Sequence, residues 1–324
     1  MTSTRVPFDP ELVEGFTRFK EDYEFEPLVP ETIHSYRSRF LGDGADIAEE
    51  LAELPIDVED RYVPGPEGAP DVLITILRPR GGVRTPAGLY GIHGGGMILG
   101  TRAGVVDSLV PYVIEHGCVG VTVEYRLAPE HPHPAPVEDC YAGLRWMAEH
   151  ADELGIDPDR ILVIGASAGG GLSAGTALLA RDRGFPTLAG QALICPMIDD
   201  RNSTVSSVQH QDVGVWPGSF NETGWDALVG ADVRGTDRVS PYAAPTRMTD
   251  LSGLAPAYVE VGAAEVFRDE SVDYALRIWA VGGQAELHVW GGGFHGYTGI
   301  VPEAAVSKAT QSARRNWIER VLGL

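Results

Sequence analysis

A serine between two glycines is the residue of this 324-residue chain best placed to act as a nucleophile. Residues 165–169 read Gly-Ala-Ser-Ala-Gly, with Ser167 at the centre, and they join an apolar run at 160–165 to a helical pattern at 168–183. A strand that turns sharply into a helix lifts the middle side chain above the sheet edge, and flanking glycines let neighbouring backbone approach. This context predicts a nucleophilic Ser167.

Phosphate binding is the alternative for the same glycine-rich turn, because residues 165–171 open a helix. The turn lacks the Lys-Ser or Lys-Thr pair of a mononucleotide-binding loop. Ser167 also occupies the second-glycine position of the dinucleotide pattern, where a pyrophosphate has to approach the backbone. Phosphate binding is therefore the weaker interpretation.

A second glycine turn, at residues 93–96 (His-Gly-Gly-Gly), directly follows the apolar run at 89–92. The tetrahedral intermediate of acyl transfer carries negative charge on the former carbonyl oxygen. Fixed backbone amides aimed at that oxygen stabilise it by about 3–4 kcal/mol per donor. Alone, the motif would be an ordinary glycine turn; together with a serine nucleophile downstream, it predicts an oxyanion-stabilising loop.

Histidine is the base that a serine nucleophile needs, and nine histidines are present. His295 follows the last predicted strand in a glycine-rich loop, and it is the only histidine after every candidate acid at a strand end, as the order serine, acid, histidine requires. His288 lies inside an alternating strand and is interpreted as structural. His131 and His133 lie in a proline-rich loop without a third ligand nearby, so no metal site is predicted.

Three acids compete for the place beside the histidine. Glu265, Asp269 and Glu270 all follow the predicted strand at 257–262. Asp269 can also be a helix cap, because it stands just ahead of a helical pattern at 272–281. The residues alone leave the choice open.

Strand and helix patterns alternate along most of the chain. Apolar, β-branched runs bounded by glycine and proline predict strands at 72–77, 89–93, 119–125, 160–165, 192–198, 257–262 and 287–290. Periodicity predicts helices at 10–23, 31–54 (interrupted by glycines), 136–154, 168–183, 272–281 and 304–322. This alternation favours a mostly parallel sheet covered on both faces. Residues 200–248 break the rhythm and predict an insertion above the sheet.

The composition limits the partners. With 46 acidic against 25 basic residues, the net charge is −21, which disfavours nucleic acid and membrane partners. Cys118, Cys140 and Cys195 lie far apart, so neither a disulfide framework nor a zinc knuckle is predicted. The first residues lack a signal-peptide pattern and no apolar run is long enough to span a membrane, so the expected location is cytoplasmic.

Five motifs occur together and in one order: HGGG at 93–96, YRLAPEHPHPAP at 125–136, GASAGG at 165–170, SPYAAP at 240–245 and GFHGY at 293–297. With these motifs, the chain from about residue 90 onward resembles the hormone-sensitive-lipase family of esterases in its bacterial branch. Within that branch it is most similar to acetyl esterases of the heroin-esterase kind. The resemblance implies an α/β-hydrolase fold, a twisted sheet of about eight mostly parallel strands with a mainly helical cap.

The resemblance also assigns roles by motif. It makes the backbone amides of Gly95, Gly96 and Ala168 the oxyanion donors, and His93 a structural histidine beside the oxyanion loop. The family usually has aspartate where this chain has Ala166, so the hydrogen bonds of that aspartate are in doubt here.

The family pattern D-P-L-R-D-E aligns with residues 265–270. The alignment places Glu265 at the position of the catalytic acid, where aspartate is usual. Glu265 is thus expected to orient His295, and Asp269 to cap the following helix.

The predicted activity is hydrolysis of short-chain, acetyl-type carboxylic esters through an acyl-enzyme, with a triad of Ser167, His295 and Glu265 and with no cofactor or metal. Residues 1–55 and 200–248 are expected to form the cap, and residues 56–199 and 249–324 the core. The expected partner is a small-molecule ester. The sequence does not fix the oligomeric state, and a homodimer is one possibility.

Two rivals remain. An amidase or peptidase could use the same residues. A ligand receptor on this fold, like the plant gibberellin receptors, would lack the catalytic histidine, whereas His295 is present.

Overall fold

One eight-stranded sheet organises the described part of the chain, which in the computed structural model comprises residues 4–22, 26–40 and 46–324. Every residue of the central strands is buried or nearly so, which requires cover on both faces of the sheet. The strands, in chain order, are β1 Ile56–Val63, β2 Val72–Pro79, β3 Gly88–Ile92, β4 Val119–Glu124, β5 Ile161–Ala166, β6 Gly190–Ile194, β7 Ala257–Gly262 and β8 Ala285–Trp290.

The strand order is β1-β2-β4-β3-β5-β6-β7-β8. The pairs β1–β2 and β2–β4 are antiparallel, and every later pair is parallel. Because parallel strands end at the same edge, the loops after β3, β5, β6, β7 and β8 meet there. The predicted mostly parallel sheet of about eight strands is confirmed.

Helices cover the faces of the sheet. The helices of the described residues are α1 Pro10–Asp22, α2 Ile33–Phe40, α3 Ile47–Glu50, α4 Val110–His116, α5 Ala135–Glu149, α6 Ala151–Leu154, α7 Ala168–Arg183, α8 Val205–Gln209, α9 Gly218–Val229, α10 Arg268–Ala280, α11 Tyr297–Ile300 and α12 Ala305–Leu322. No helix among these is both long and apolar enough to cross a membrane.

Most predicted elements lie within a few residues of the observed ones, and the helix predicted at 168–183 has those bounds. The helical pattern at 31–54 resolves into a 3₁₀ turn at Pro30–Thr32, α2 and α3, and residues 41–45 of it lie outside the described ones. The end of the helix predicted at 10–23 also lies outside them. The elements without a predicted counterpart are β1, α4, α8, α9 and α11, of which α8 and α9 lie in the insertion predicted at 200–248.

Two segments far apart in sequence cover the same edge of the sheet. Aromatic rings of the N-terminal segment pack beside the loop after β8, where Phe16 lies 5.2 Å from Phe294 between ring centroids. Between the two segments, the Thr223 hydroxyl of α9 donates to the Leu28 carbonyl at 2.7 Å. The residues before β1 and the stretch that contains α8 and α9 therefore contact each other above the strand ends.

Candidate active site

The turn between β5 and α7 is as tight as the sequence predicts. Ser167 has φ 58° and ψ −122°, a strained conformation for a residue with a side chain. A Cβ atom on Gly169 would lie 2.1 Å from the Ile92 carbonyl oxygen, so only glycine fits where α7 passes the end of β3. The Ser167 amide donates to the Ile194 carbonyl at 2.8 Å. These contacts hold the serine above the strand ends.

Three side chains meet at this edge. His295 Nε2 lies 3.0 Å from Ser167 Oγ, and His295 Nδ1 lies 2.6 Å from Glu265 Oε2. All three residues are buried, with 8%, 7% and 3% exposure for Ser167, His295 and Glu265. A serine, a base within hydrogen-bond reach and an acid on the other ring nitrogen form the arrangement that activates a hydroxyl for attack.

Backbone contacts fix the acid and the base relative to each other. Glu265 follows β7 and His295 follows β8, and these two strands pair in parallel. The Ala264 amide donates to the Gly293 carbonyl at 3.0 Å, which joins the two loops. The Gly262 amide donates to the second oxygen of the Glu265 carboxylate at 3.2 Å. The carboxylate is therefore held from both sides.

The glycine turn after β3 lies against Ser167, where a Cβ atom on Gly94 would be 3.5 Å from the Ser167 Cβ. Gly95 and Gly96 have φ of 112° and 62°, the left-handed region that favours glycine. Within the described ranges, the amides of Gly95, Gly96 and Ala168 donate to no protein acceptor. Three free backbone donors close to a serine nucleophile are what an oxyanion site requires.

Comparisons with known proteins assign the chain to a family. Residues 89–299 match a family model described as alpha/beta hydrolase fold. The chain belongs to this family. Its resemblance to the bacterial hormone-sensitive-lipase branch and its α/β-hydrolase fold are thereby confirmed.

Several relatives of this α/β-hydrolase are named as esterases. The carboxylic ester hydrolase LipN of Mycobacterium tuberculosis is 36% identical over 83% of this chain and 73% of its own length. The carboxylesterase NlhH of the same species is 35% identical over 87% of this chain and 92% of its own. Among solved structures, a bacterial heroin esterase has a TM-score of 0.86 at 37% identity, with 97% of this chain and 98% of the other covered.

Cys195, the residue after β6, is a member of the site that the sequence did not reveal. It is buried with φ 37°, and its amide donates to the Glu260 carbonyl at 2.6 Å. Burial disfavours the imidazolium of His295, but Cys195 and Glu265 outweigh that effect, so the pKa of His295 is raised well above its ordinary value. Cys195 directly follows a parallel strand, as Ser167 does, and this position is the signal that could have identified it.

Among the described residues, Cys195, Glu265 and His295 form the group that most resembles a metal site. Donor atoms of Cys195, Glu265 and His295 lie within 4.8 Å of one another. The 2.6 Å contact between His295 Nδ1 and the Glu265 carboxylate is a hydrogen bond that occupies two of these donors. Zinc ligands each lie about 2.0–2.3 Å from the ion, which requires these two atoms to separate. The arrangement suits proton transfer better.

His93 supports the glycine turn rather than the chemistry. Its ring stacks on Tyr125 with 4.1 Å between centroids, and the Tyr125 hydroxyl donates to the His93 carbonyl at 3.0 Å. Burial lowers the pKa of His93 to about 4, although the Gly94 carbonyl at Nδ1 opposes that shift. The ring is therefore neutral at pH 7 and adds no charge to the oxyanion site.

The expectation that Asp269 caps the following helix is wrong. Helix α10 begins at Arg268, so Asp269 lies inside its first turn. Its carboxylate accepts from the Ser206 amide at 2.7 Å and from Arg268 at 2.7 Å. Asp269 thus holds the first turn of α8 against α10. The third candidate acid, Glu270, accepts from the amides of Ile198 and Asp199 and does not reach His295.

The remaining singled-out histidines lie outside this constellation. His288 is on β8 with Nε2 3.1 Å from the neighbouring Glu286 carboxylate. His133 donates its backbone amide to the Leu228 carbonyl at 2.9 Å. Burial lowers the pKa of its ring.

A pocket of about 390 Å³ opens above Ser167 and is named the cap pocket. Most of its wall is apolar and comes from both covering segments and from the glycine turn. Trp216 lies over the turn, where a Cβ atom on Gly96 would be 2.3 Å from the indole ring. The pocket is lined by Phe19, Leu28, Tyr36, His93, Gly94, Gly95, Leu99, Gly100, Gly104, Ala166, Ser167, Cys195, Val215, Trp216, Phe220, His295 and Gly296.

Proposed function

We propose that this α/β-hydrolase is a serine carboxylesterase with a triad of Ser167, His295 and Glu265. The observation that carries the proposal is the pair of contacts at His295, 3.0 Å to Ser167 Oγ and 2.6 Å to Glu265. The names of the relatives, carboxylic ester hydrolase and carboxylesterase, support the choice of an ester as substrate.

In the first half-reaction Ser167 Oγ attacks the ester carbonyl while His295 Nε2 takes the hydroxyl proton. Glu265 holds Nδ1–H and stabilises the imidazolium that forms. The negative charge on the carbonyl oxygen is placed against the amides of Gly95, Gly96 and Ala168. The imidazolium then gives its proton to the alkoxide, and the alcohol leaves.

In the second half-reaction a water molecule attacks the acyl-enzyme. His295 takes the water proton, the oxyanion forms again at the same amides, and the carbon–Oγ bond breaks. The proton on His295 returns to Ser167, and the carboxylic acid is released. The residues of the chain itself suffice for every step.

We further propose that the acyl group is short, from acetyl to about butyryl. The cap pocket, at about 390 Å³, lies near the lower end of the roughly 300–1,000 Å³ range of ligand pockets. Trp216 and Phe220 pack edge to face in its wall with 5.9 Å between ring centroids, so this part of the wall is aromatic rather than a long aliphatic stripe. Residues 1–55 and 200–248 act as the cap in this proposal.

A series of p-nitrophenyl esters tests the acyl preference. We expect kcat/KM to be greatest between acetate and butyrate and to fall for longer chains. A serine-directed organophosphonate should label Ser167 in the same preparation. A maximum at decanoate or beyond would contradict the proposed pocket, whereas an unlabelled Ser167 would contradict the mechanism.

Matched esters and amides of the same acid separate an esterase from an amidase. We expect the ester to be hydrolysed with the larger kcat/KM. A ligand receptor on this fold should hydrolyse neither, and the His295 contact to Ser167 argues against that rival.

We propose a homodimer as the assembly. Strand β8 forms the edge of the described sheet and pairs with β7 on one side. Large apolar side chains are exposed there and on the neighbouring α10, among them Val289 at 43% and Trp279 at 43%. Sedimentation velocity should give the mass of two chains, and a single-chain mass at every concentration would refute the dimer.

A further inference from the structure

Two more cavities share wall residues with the cap pocket or with each other. The first, named the inner cavity, has a volume of about 210 Å³. It shares Ala166, Cys195 and Gly296 with the cap pocket, and Glu265 lies in its wall. The inner cavity therefore begins beside the nucleophile and behind the acid of the triad.

The second, named the outer recess, has a volume of about 590 Å³ and is lined by residues of α4 and α12. It shares Ser108, Thr298, Gly299 and Arg314 with the inner cavity. Both volumes are many times the roughly 10–15 Å³ that one water molecule requires. The three spaces thus adjoin in sequence, from the cap pocket to a surface outside the cap.

We propose that these spaces form one passage, and that the carboxylic acid product leaves through it while the ester enters, and the alcohol departs, through the cap pocket. This inference rests on the proposed esterase function. The acyl group is bound to Ser167 Oγ, next to Ala166, whose side chain is only a methyl group and lines both the cap pocket and the inner cavity. The acid is released at this junction.

The charges along the passage favour outward movement of an anion. The Glu265 carboxylate at the inner end repels a carboxylate product. The neighbouring Glu260 is offset by Arg314, whose Nε lies 3.1 Å from its Oε1. Burial lowers the pKa of Arg314, but Glu260 raises it by more, so the guanidinium of Arg314 stays charged at neutral pH.

At the outer end, Lys308 is exposed and has no ion-pair partner among the described residues. It is one of only two lysines in a chain with a net charge of −21. Arg315 also lines the recess but is paired with Glu115 and Glu319, and Asp107 is the one acid in the wall. Lys308 is therefore the cation that an emerging carboxylate can meet.

The experiment separates the route of the acid from the route of the ester. A serine esterase also runs its second half-reaction backwards: the free acid acylates Ser167 with loss of water, and attack by H₂¹⁸O returns the acid with one labelled oxygen. Exchange of ¹⁸O into butyrate thus measures access of the acid without any ester. By microscopic reversibility the acid enters by the path that it leaves.

Gly299→Trp is the variant that blocks the passage, since Gly299 lines both the inner cavity and the outer recess. An added Cβ meets no atom within 4 Å there, so the backbone tolerates the side chain. Gly291→Trp is the matched control, because Gly291 also has open space around it and lines none of the three spaces.

We expect kcat/KM for butyrate exchange to fall about tenfold or more in Gly299→Trp, with the first-turnover burst from p-nitrophenyl butyrate close to that of the parent. Gly291→Trp should change neither. The passage is refuted if the burst and the exchange kcat/KM fall together in Gly299→Trp. It is also refuted if the exchange kcat/KM of Gly299→Trp does not fall. Absence of steady-state p-nitrophenyl butyrate hydrolysis in the parent overturns the esterase function instead.

Lys308→Glu tests the charge at the mouth. We expect the exchange kcat/KM to fall a few-fold at low salt and the difference to shrink at high salt, since exposed charges are screened. Arg145→Glu makes the same change of net charge on α5, which lines none of the three spaces, and should leave the exchange rate near that of the parent. Equal effects of the two variants contradict a local role for Lys308.

Discussion

The strand ends that carry Ser167, Glu265 and His295, here called the catalytic edge, differ in construction from the proposed cap of residues 1–55 and 200–248. At the catalytic edge, backbone groups make the decisive contacts: the Ser167 amide to Ile194, and the Ala264 amide to Gly293. In the cap, side chains make them: Arg37 of α2 reaches the carbonyls of Ile98 and Ala128 at 2.7 Å each. The first region is fixed by strand pairing, and the attachment of the second also depends on individual side chains.

This difference predicts how each region responds to substitution. A change at the catalytic edge should remove chemistry and leave the fold intact, because strands β5, β7 and β8 persist. A change in the cap should alter substrate binding or stability by smaller amounts, because no single side chain carries the whole attachment.

Ser167→Ala should have the largest effect. Loss of the nucleophile should lower kcat by about 10⁴–10⁶-fold. Steady-state hydrolysis of p-nitrophenyl acetate measures this, and an unchanged far-UV circular dichroism spectrum serves as the control for folding. A variant that kept most of its activity would refute the serine mechanism.

Glu265→Gln should rank second. The amide keeps the size of the side chain but no longer stabilises the imidazolium, so we expect kcat to fall by about 10³–10⁴-fold. Asp269→Asn is the matched control at a neighbouring acid, and it should stay close to the parent. If Asp269→Asn lowered kcat far more than Glu265→Gln did, Asp269 would be the acid that orients His295.

The pH profile of kcat/KM should show the influence of Glu265 directly. His295 has to be neutral to accept the serine proton, so activity is lost as the pH falls through its pKa. Because that pKa is raised, the acid limb should lie above the ordinary value of about 6.5. In Glu265→Gln the limb should move to lower pH. A limb that does not move means that Glu265 does not act on the imidazole.

Gly96→Ala probes the contact between the two regions. The new methyl group would lie 2.3 Å from the Trp216 ring, so either the indole or the oxyanion turn has to shift. We expect kcat/KM to fall about 10–100-fold, and Trp216→Ala to restore part of it in the double variant. Gly104→Ala is the control in the same pocket, since its Cβ would be 3.9 Å from the nearest atom. If the double variant regains no kcat/KM, the loss in Gly96→Ala comes from the glycine turn alone and not from its contact with Trp216.

Asp269→Asn should have the smallest effect. The substitution weakens the bond to the Ser206 amide that holds α8, so the free energy of unfolding should fall by about 1 kcal/mol. Urea unfolding measures the change, with the kcat/KM of the same preparation as the comparison. An activity loss much greater than the stability loss would give Asp269 a part in the site.

The meeting of Ser167 and His295 at the strand ends could be predicted from sequence because its constraints are local. Gly165 and Gly169 around Ser167 encode the turn, and the order of serine, acid and histidine follows the order of the strands. Glu265 required the family pattern, since three acids follow β7 and distance along the chain does not distinguish them.

The contacts of the cap were harder to predict because they join residues that are far apart in sequence. The contact of Trp216 with Gly96 spans more than a hundred residues, and no periodicity encodes it. Asp269 was misplaced for the same reason: its carboxylate bonds to Ser206, in a helix that precedes it by about sixty residues. Strand β1 was not predicted because its polar and apolar residues alternate only loosely.

The attachment of the N-terminal segment has a practical consequence for making the protein. The Asp9 amide donates to the Gly292 carbonyl at 3.0 Å, three residues before His295. A purification tag or surface linker joined ahead of this segment would lie near a contact that is three residues from His295 in sequence. The carboxyl terminus follows α12, whose last residues pack on the core away from that loop. Immobilisation on a support should therefore use a C-terminal handle.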